Sequence, residues 1–290
     1  MALFGTYDRA ALDAEYDNGA KVPDAPAMVD RWYADGEQAC SMLSCDLDVP
    51  YGDHDRHRLD IFPVGGGAAP VMAFIHGGYW HLRDKRMAHF LAPTFVAAGI
   101  HFVSIGYRLC PEVTVSGVVE DVKAALGWVS ENCESFGGAR DRLYVAGHSA
   151  GGHLAATMLS AEGMPEGTLA GGCSISGLHD LEPIRLCYLN DSLHLDEAEA
   201  ARLSPIRIAR DMPPKGQTKL APAILTVGAE EGPEYLRQRD ELAETLRAAR
   251  QPVQVVDVPG GNHFSACEAF GDHNHPLCQA MLRMIAAPGF

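Results

Sequence analysis

The 290-residue sequence lacks the features that would direct its function toward a membrane, a nucleic acid or a metal. No apolar run approaches the roughly 18–20 residues needed to span a bilayer. Basic residues are scarce: 23 Lys and Arg stand against 38 Asp and Glu, for a formal net charge of −15. That balance opposes phosphate backbones and anionic lipid surfaces, so neither nucleic acid nor membrane is an expected partner. The opening stretch MALFGTYDRAALDAEYDNG carries acids early and no apolar core, so no secretory signal is expected. There is no C-x-x-C. The eight cysteines (Cys40, Cys45, Cys110, Cys133, Cys173, Cys187, Cys267, Cys278) have no zinc-ligand spacing and read as free thiols of a reducing cytosol. The histidine pairs His54/His57 and His273/His275 sit in polar, acid-rich loops, and no metal is expected there. No internal repeat or low-complexity segment occurs. The softest stretches, VGGGAAP (64–70) and MPPKGQTKLAP (212–222), read as connections inside one domain spanning 1–290.

What is present is an alternation of two periodicities. HRLDIFP (57–63), VMAFIH (71–76), HFVSIGYR (101–108), RLYVAG (142–147), GGCSISG (171–177), PAILTVG (222–228) and VQVVDVPG (253–260) read as strands, apolar and β-branched. Between them lie helical patterns. MAHFLAPTFVAAG (87–99) ends on a C-cap glycine, Gly99. Residues 116–133 place Val118, Val122, Ala125, Leu126 and Val129 on one stripe. AGGHLAATMLSAEG (150–163) follows a strand directly, DEAEAARLSP stops before Pro205, residues 233–251 start near Pro233, and PLCQAMLRMIAA closes the chain. Strands alternating with helices predict an α/β fold, a mostly parallel sheet covered on both faces. Sites in such folds gather at the carboxyl ends of strands, here Gly77–Tyr79, Gly147–Gly151, Gly228–Glu231 and Gly260–His263.

The residues at those ends form a coherent set. Gly147-His148-Ser149-Ala150-Gly151 is a G-x-S-x-G between a strand and a helix, the context a nucleophile turn requires. Such a turn strains the backbone at the serine and leaves no room for side chains two residues before or after it. A serine hydroxyl needs a base, and triads of this architecture run serine, acid, histidine along the chain. His263, in the glycine-rich loop GGNHF, is the expected base. Glu230, Glu231 and Glu234 all follow the preceding strand, and the pattern alone leaves the acid open among them. FIHGGYW (74–80) then explains why flexible glycines stand beside bulky aromatics. Bare N–H groups of Gly77 and Gly78, with that of Ala150 after the nucleophile, are expected to form an oxyanion hole.

Together FIHGGYW, GYRLCPE, AGHSAGGHL, VGAEEGPEYLRQ and GGNHF resemble the serine-hydrolase type of kynurenine formamidase (arylformamidase). This is a branch of the α/β-hydrolase superfamily near the hormone-sensitive-lipase-like esterases. The N-terminal LDAEYDNGAKVPD…DRWYADGEQA is similar to that group as well, so the match covers nearly the whole chain. The resemblance implies Ser149 as nucleophile, His263 as base, Glu231 as acid (where some members carry Asp), and Gly77, Gly78 and Ala150 as the oxyanion hole. It implies no cofactor and no metal. It points to hydrolysis of N-formyl-kynurenine or another arylformamide to arylamine and formate, a step of tryptophan catabolism. Tyr79 and Trp80 are expected to wall the pocket and stack on the substrate ring. Residues 1–45 are expected to form a helical segment packing on or near the active site. A cytoplasmic enzyme, homodimeric as is common in this superfamily, is the expectation. The competing readings are a carboxylesterase using the same machinery on small acyl esters and, more remotely, a non-catalytic ligand-binding homologue.

Overall fold

A computed structural model describes residues 2–160, 162–211 and 220–287. Residues 212–219 of the soft stretch 212–222 lie outside them. Eight strands form one sheet: β1 (Asp46–Pro50), β2 (Arg58–Phe62), β3 (Ala69–Ile75), β4 (His101–Ile105), β5 (Gly138–His148), β6 (Gly171–Ile175), β7 (Ala223–Gly228) and β8 (Val253–Val258). Their order is β1-β2-β4-β3-β5-β6-β7-β8. β2 runs antiparallel to β1 and β4, and every pairing from β4 to β8 is parallel. This is the α/β-hydrolase arrangement.

The apolar strands look uniform in sequence but serve two cores. Val71, Ala73 and Ile75 of β3 join one hydrophobic cluster, and Met72 and Phe74 join the other. β5 divides likewise, with Leu143 and Val145 against Tyr144 and Ala146. Successive side chains leave opposite faces of a strand, so a strand buried on both faces has no polar alternation to show.

Thirteen α-helices are described. They are α1 (Arg9–Tyr16), α2 (Asn18–Lys21), α3 (Ala25–Met42), α4 (Ala92–Ala97), α5 (Val115–Asn132), α6 (Ala150–Met158), α7 (Glu182–Leu186), α8 (Asn190–Leu193), α9 (Glu197–Arg202), α10 (Pro205–Arg210), α11 (Pro233–Ala248), α12 (Ser265–Gly271) and α13 (Pro276–Ala286). Long α5 is capped by Thr114, whose side chain accepts from the Gly117 N–H. It buries the expected stripe Val118, Val122, Ala125, Leu126 and Val129.

Several details depart from the expectation. The stretch 87–99 is not one helix but a 3₁₀ helix, Lys85–Leu91, followed by α4. Pro93 in the first turn of α4 has no N–H to continue the ladder and would clash with a carbonyl four residues back. The region between β6 and β7 folds as four short helices, with Pro205 opening the last of them. β1 and α12 were not foreseen. β1 is a short, acidic, mostly exposed edge strand with Pro50 at its end, the composition edges carry to avoid further pairing.

The N-terminal segment straddles the carboxyl edge of the sheet. Leu12 and Tyr16 of α1 join one core, and Val29 and Trp32 of α3 join the other. The turn between them therefore crosses above the strand ends. Among the described residues no helix is long and apolar enough to cross a membrane.

Candidate active site

Five parallel strands deliver their carboxyl ends to one place. Between β5 and α6 the chain turns at Ser149 with φ +58° and ψ −121°. A non-glycine residue there carries strain on the order of 1–3 kcal/mol. The Ser149 N–H donates to Ile175 O at 2.8 Å, which ties the turn to β6. The flanking glycines are sterically required. A Cβ on Gly147 would lie 2.1 Å from Gly151 O, and one on Gly151 would lie 2.0 Å from Ile75 O.

Ser149 and His263 line one cavity of about 400 Å³, although each is nearly buried. His263 Nδ1 is 2.6 Å from Glu231 Oε2. The other oxygen of Glu231 accepts from the Gly228 N–H at 2.6 Å and from Ser176 Oγ at 2.5 Å. With three donors on one buried carboxylate, the side chain has a single orientation.

The three candidate glutamates have distinct surroundings. Glu230 is exposed. Glu234 is buried, but Arg237 holds it with Nη2 at 2.8 Å and Nε at 3.0 Å. Only Glu231 reaches the imidazole.

His148 packs beside His263 with ring centroids 4.7 Å apart. Its Nε2–H donates to the His263 carbonyl at 2.7 Å. Burial, and then the neighbouring His263, push its pKa well below the usual histidine value. His148 is therefore a neutral brace under the other ring.

The loop after β3 approaches from the other side. A Cβ on Gly77 would meet His148 O at 2.9 Å and Ser149 Cβ at 3.1 Å. Gly78 has φ +116°, and a Cβ there would fall 2.2 Å from Leu82 O. Among the described residues, the N–H groups of Gly77, Gly78 and Ala150 have no backbone acceptor. The Ala150 N–H also opens α6, where the helix dipole favours negative charge.

Tyr79 and Trp80 part company. Tyr79 lines the cavity, and its hydroxyl donates to Tyr16 O at 2.6 Å and meets Tyr235 Oη at 2.9 Å. Trp80 does not wall the pocket as expected. It is fully buried in the core, with its ring edge-on to His153 at 5.1 Å. Both residues have positive φ, so the chain turns between them and sends the indole inward.

The N-terminal segment supplies Asp17, Asn18, Gly19, Ala25, Pro26, Val29 and Asp30 to the cavity wall. It is fastened to the acid loop by Lys21 Nζ on Glu231 O at 2.8 Å and by the Glu234 N–H on Glu15 Oε1 at 3.0 Å. Asn18, Ser176 and Tyr235 were not singled out from the sequence. Ser176 was within reach of the same rule, since it ends β6 between β5 and β7. Asn18 and Tyr235 lie on helices, where nothing local marks them.

Several known proteins are similar to this chain. A family profile described as the α/β hydrolase fold matches residues 72–266. A kynurenine formamidase of Danio rerio is 32% identical over 254 residues, covering 86% of this chain and 85% of that protein. A carboxylic ester hydrolase of Mycobacterium tuberculosis is 33% identical over 239 residues, covering 72% and 61%. A crystal structure from Silicibacter sp. TM1040, of a protein provisionally named a thioesterase, superposes with a TM-score of 0.82 at 29% identity, covering 95% and 99%.

Proposed function

The chain belongs to the α/β-hydrolase family and is a serine hydrolase, and from that premise we propose that it hydrolyses arylformamides such as N-formyl-kynurenine through Ser149, His263 and Glu231. The observation that carries this reading is the pairing of His263 with Glu231 on the same cavity wall as a serine held at positive φ.

In the proposed reaction, Ser149 Oγ attacks the formyl carbon while its proton passes to His263 Nε2. Glu231 holds Nδ1–H, so Nε2 is left as the basic nitrogen, and the carboxylate charge stabilises the imidazolium that forms. The N–H groups of Gly77, Gly78 and Ala150 receive the oxyanion. The C–N bond breaks as His263 returns the proton to the arylamine nitrogen, which leaves. Water then attacks the formyl ester, giving its proton to His263. Collapse of that intermediate releases formate and restores the Ser149 hydroxyl.

A formyl group needs almost no acyl room, and the cavity of about 400 Å³ has space for an aryl group on the leaving side. The same volume also favours a second reading, a carboxylesterase for small acyl esters, because ester and amide pass through the same kind of tetrahedral intermediate. The similarity to a carboxylic ester hydrolase supports that alternative. Side-by-side kcat/KM values for N-formyl-kynurenine and p-nitrophenyl acetate decide between them. The formamidase reading expects N-formyl-kynurenine to be the better substrate despite its less reactive bond. Turnover of the ester alone would replace it with the esterase reading.

A further inference from the structure

We propose that Asn18 selects an amide over an ester: its side-chain carbonyl oxygen accepts a hydrogen bond from the scissile N–H of the substrate. This rests on the hydrolase reading above and names the group that gives that site its preference.

Proton bookkeeping determines the orientation of Asn18. Tyr79 Oη lies 2.6 Å from the Tyr16 carbonyl, which can only accept, so the single Tyr79 proton is committed there. Tyr235 Oη is 2.9 Å from Tyr79 Oη and must be the donor of that pair. Both hydroxyl oxygens can then only accept from Asn18, whose amide nitrogen is 2.8 Å from Tyr79 Oη and 2.7 Å from Tyr235 Oη. The two N–H bonds of the amide are thereby used, and the other end of the side chain is its carbonyl. That oxygen, Oδ1, is buried with no partner among the described residues, in a residue only 4% exposed. Buried acceptors are rarely left without a donor, and each exception calls for an explanation. Burial raises the pKa of Tyr16, Tyr79 and Tyr235 above the usual tyrosine value, so the phenols keep their protons at neutral pH and the chain of donors does not reverse.

A substrate in the adjoining cavity would supply the missing donor. Asn18 lines the cavity that Ser149 and His263 line. Its two tyrosine partners lead toward the oxyanion loop and toward His263. Tyr79 follows Gly78 of the oxyanion loop, and the Tyr235 ring lies 5.2 Å from the His263 ring that would hand its proton to the leaving group. In an amide the leaving atom carries an N–H, which can pair with Oδ1. In an ester that atom is an oxygen with only lone pairs, which would face lone pairs. A site built around a substrate N–H discriminates strongly against an analogue lacking it, because the site's own polar group is then left unpaired.

The test uses formanilide and phenyl formate on the intact enzyme. Asn18→Ala should lower the ratio of kcat/KM for formanilide to that for phenyl formate ten- to a hundredfold, with folding checked by thermal melting. A ratio unchanged within about threefold, whether both activities fall or neither does, overturns the inference and leaves Asn18 as a strut between two tyrosines. The wild type provides a reading that needs no folded variant. Its rate enhancement over hydroxide should be at least about tenfold larger for formanilide than for N-methylformanilide, in which a methyl group replaces the N–H hydrogen. Equal enhancements overturn the inference. Turnover of both formyl compounds that survives Ser149→Ala would instead overturn the serine-hydrolase mechanism, and a wild type that cleaves phenyl formate alone would overturn the arylformamide reading together with this one.

Discussion

Two buried imidazole–carboxylate pairs in this molecule have nearly the same side-chain order and very different surroundings. At the proposed catalytic site, His263 is 2.6 Å from Glu231 and shares a cavity with Ser149. Under α3, His89 Nε2 is 2.8 Å from Asp60 Oδ2, and His89 Nδ1 is 3.3 Å from the thiol of Cys40. Those three residues line a second cavity of about 250 Å³. Nucleophile, imidazole and carboxylate are present in both.

The differences lie in what surrounds the relay. Asp60 also faces Lys85 Nζ at 2.8 Å, so its charge is already balanced by a cation. Glu231 has neutral donors, Gly228 N–H and Ser176 Oγ, beside the imidazole. Ser149 sits at a strained turn with bare N–H groups around it, whereas Cys40 lies within α3, where backbone N–H groups are engaged in the helix. Burial, and then the neighbouring Cys45, push the Cys40 thiol up to about 11. The relay is common to both places. Bare N–H groups suited to the proposed oxyanion surround only the Ser149 site, and electrostatic stabilisation of that kind is usually the largest catalytic contribution.

This contrast can be broken by experiment. Ser149→Ala or His263→Ala should lower kcat by three to six orders of magnitude, on the order of losses seen when a triad member is removed, with the melting temperature little changed. Near-normal turnover in either would dissolve the distinction. Glu231→Gln should cost about a hundred- to ten-thousandfold in kcat, while Glu230→Gln at an exposed position should stay within about twofold; the reverse order would move the acid by one residue. Gly77→Ala, whose methyl would crowd Ser149 Cβ and His148 O, should lower kcat by roughly ten- to a hundredfold with a smaller change in KM.

At the second pair the readout is stability. Desolvation raises the Asp60 pKa, but hydrogen bonds from His89 and Lys85 outweigh it and hold the carboxyl below its usual value. Its contribution to folding is therefore complete above about pH 4 and is lost as pH falls through the depressed folded-state value. Asp60→Asn should destabilise the protein by roughly 1–3 kcal/mol at pH 7, and the gap from wild type should close in acid. A gap that widened below pH 4 would contradict the pairing. The smallest effect concerns Cys40. Alkylation by iodoacetamide, followed by mass spectrometry, should speed up about tenfold per pH unit from 7 to 10, because only the thiolate reacts. A plateau near pH 8 would mean that His89 activates the thiol after all.

The legibility of the fold and of the site followed the range of the interactions involved. The parallel strands and long α5 and α11 were readable because apolar runs, β-branching and a helical stripe are local signals, reinforced by Thr114 and Pro233 at helix starts. The four short helices α7–α10 were not, because each has too few residues for a periodicity to register, and their packing rather than their pattern holds them. β1 was obscured for the opposite reason: an edge strand with exposed, acidic side chains carries almost no hydrophobic signal.

The sequence by itself determined the strand-to-helix serine turn, since Gly147 and Gly151 stand where any Cβ would collide with backbone, and it determined the reaction class that turn and the HGG loop imply. Only the tertiary structure decided what each neighbour faces. Glu231 rather than Glu230 or Glu234 meets His263 because the chain turn after β7 aims one carboxylate inward, leaves another in solvent and gives the third to Arg237. Tyr79 stays on the cavity wall while Trp80 enters the core because consecutive positive φ values point adjacent side chains in different directions. Asn18 reaches the cavity that Ser149 also lines only because two helices from opposite cores carry the N-terminus across the strand ends, where its amide donates to Tyr235 across more than two hundred residues, a contact that no local pattern can encode.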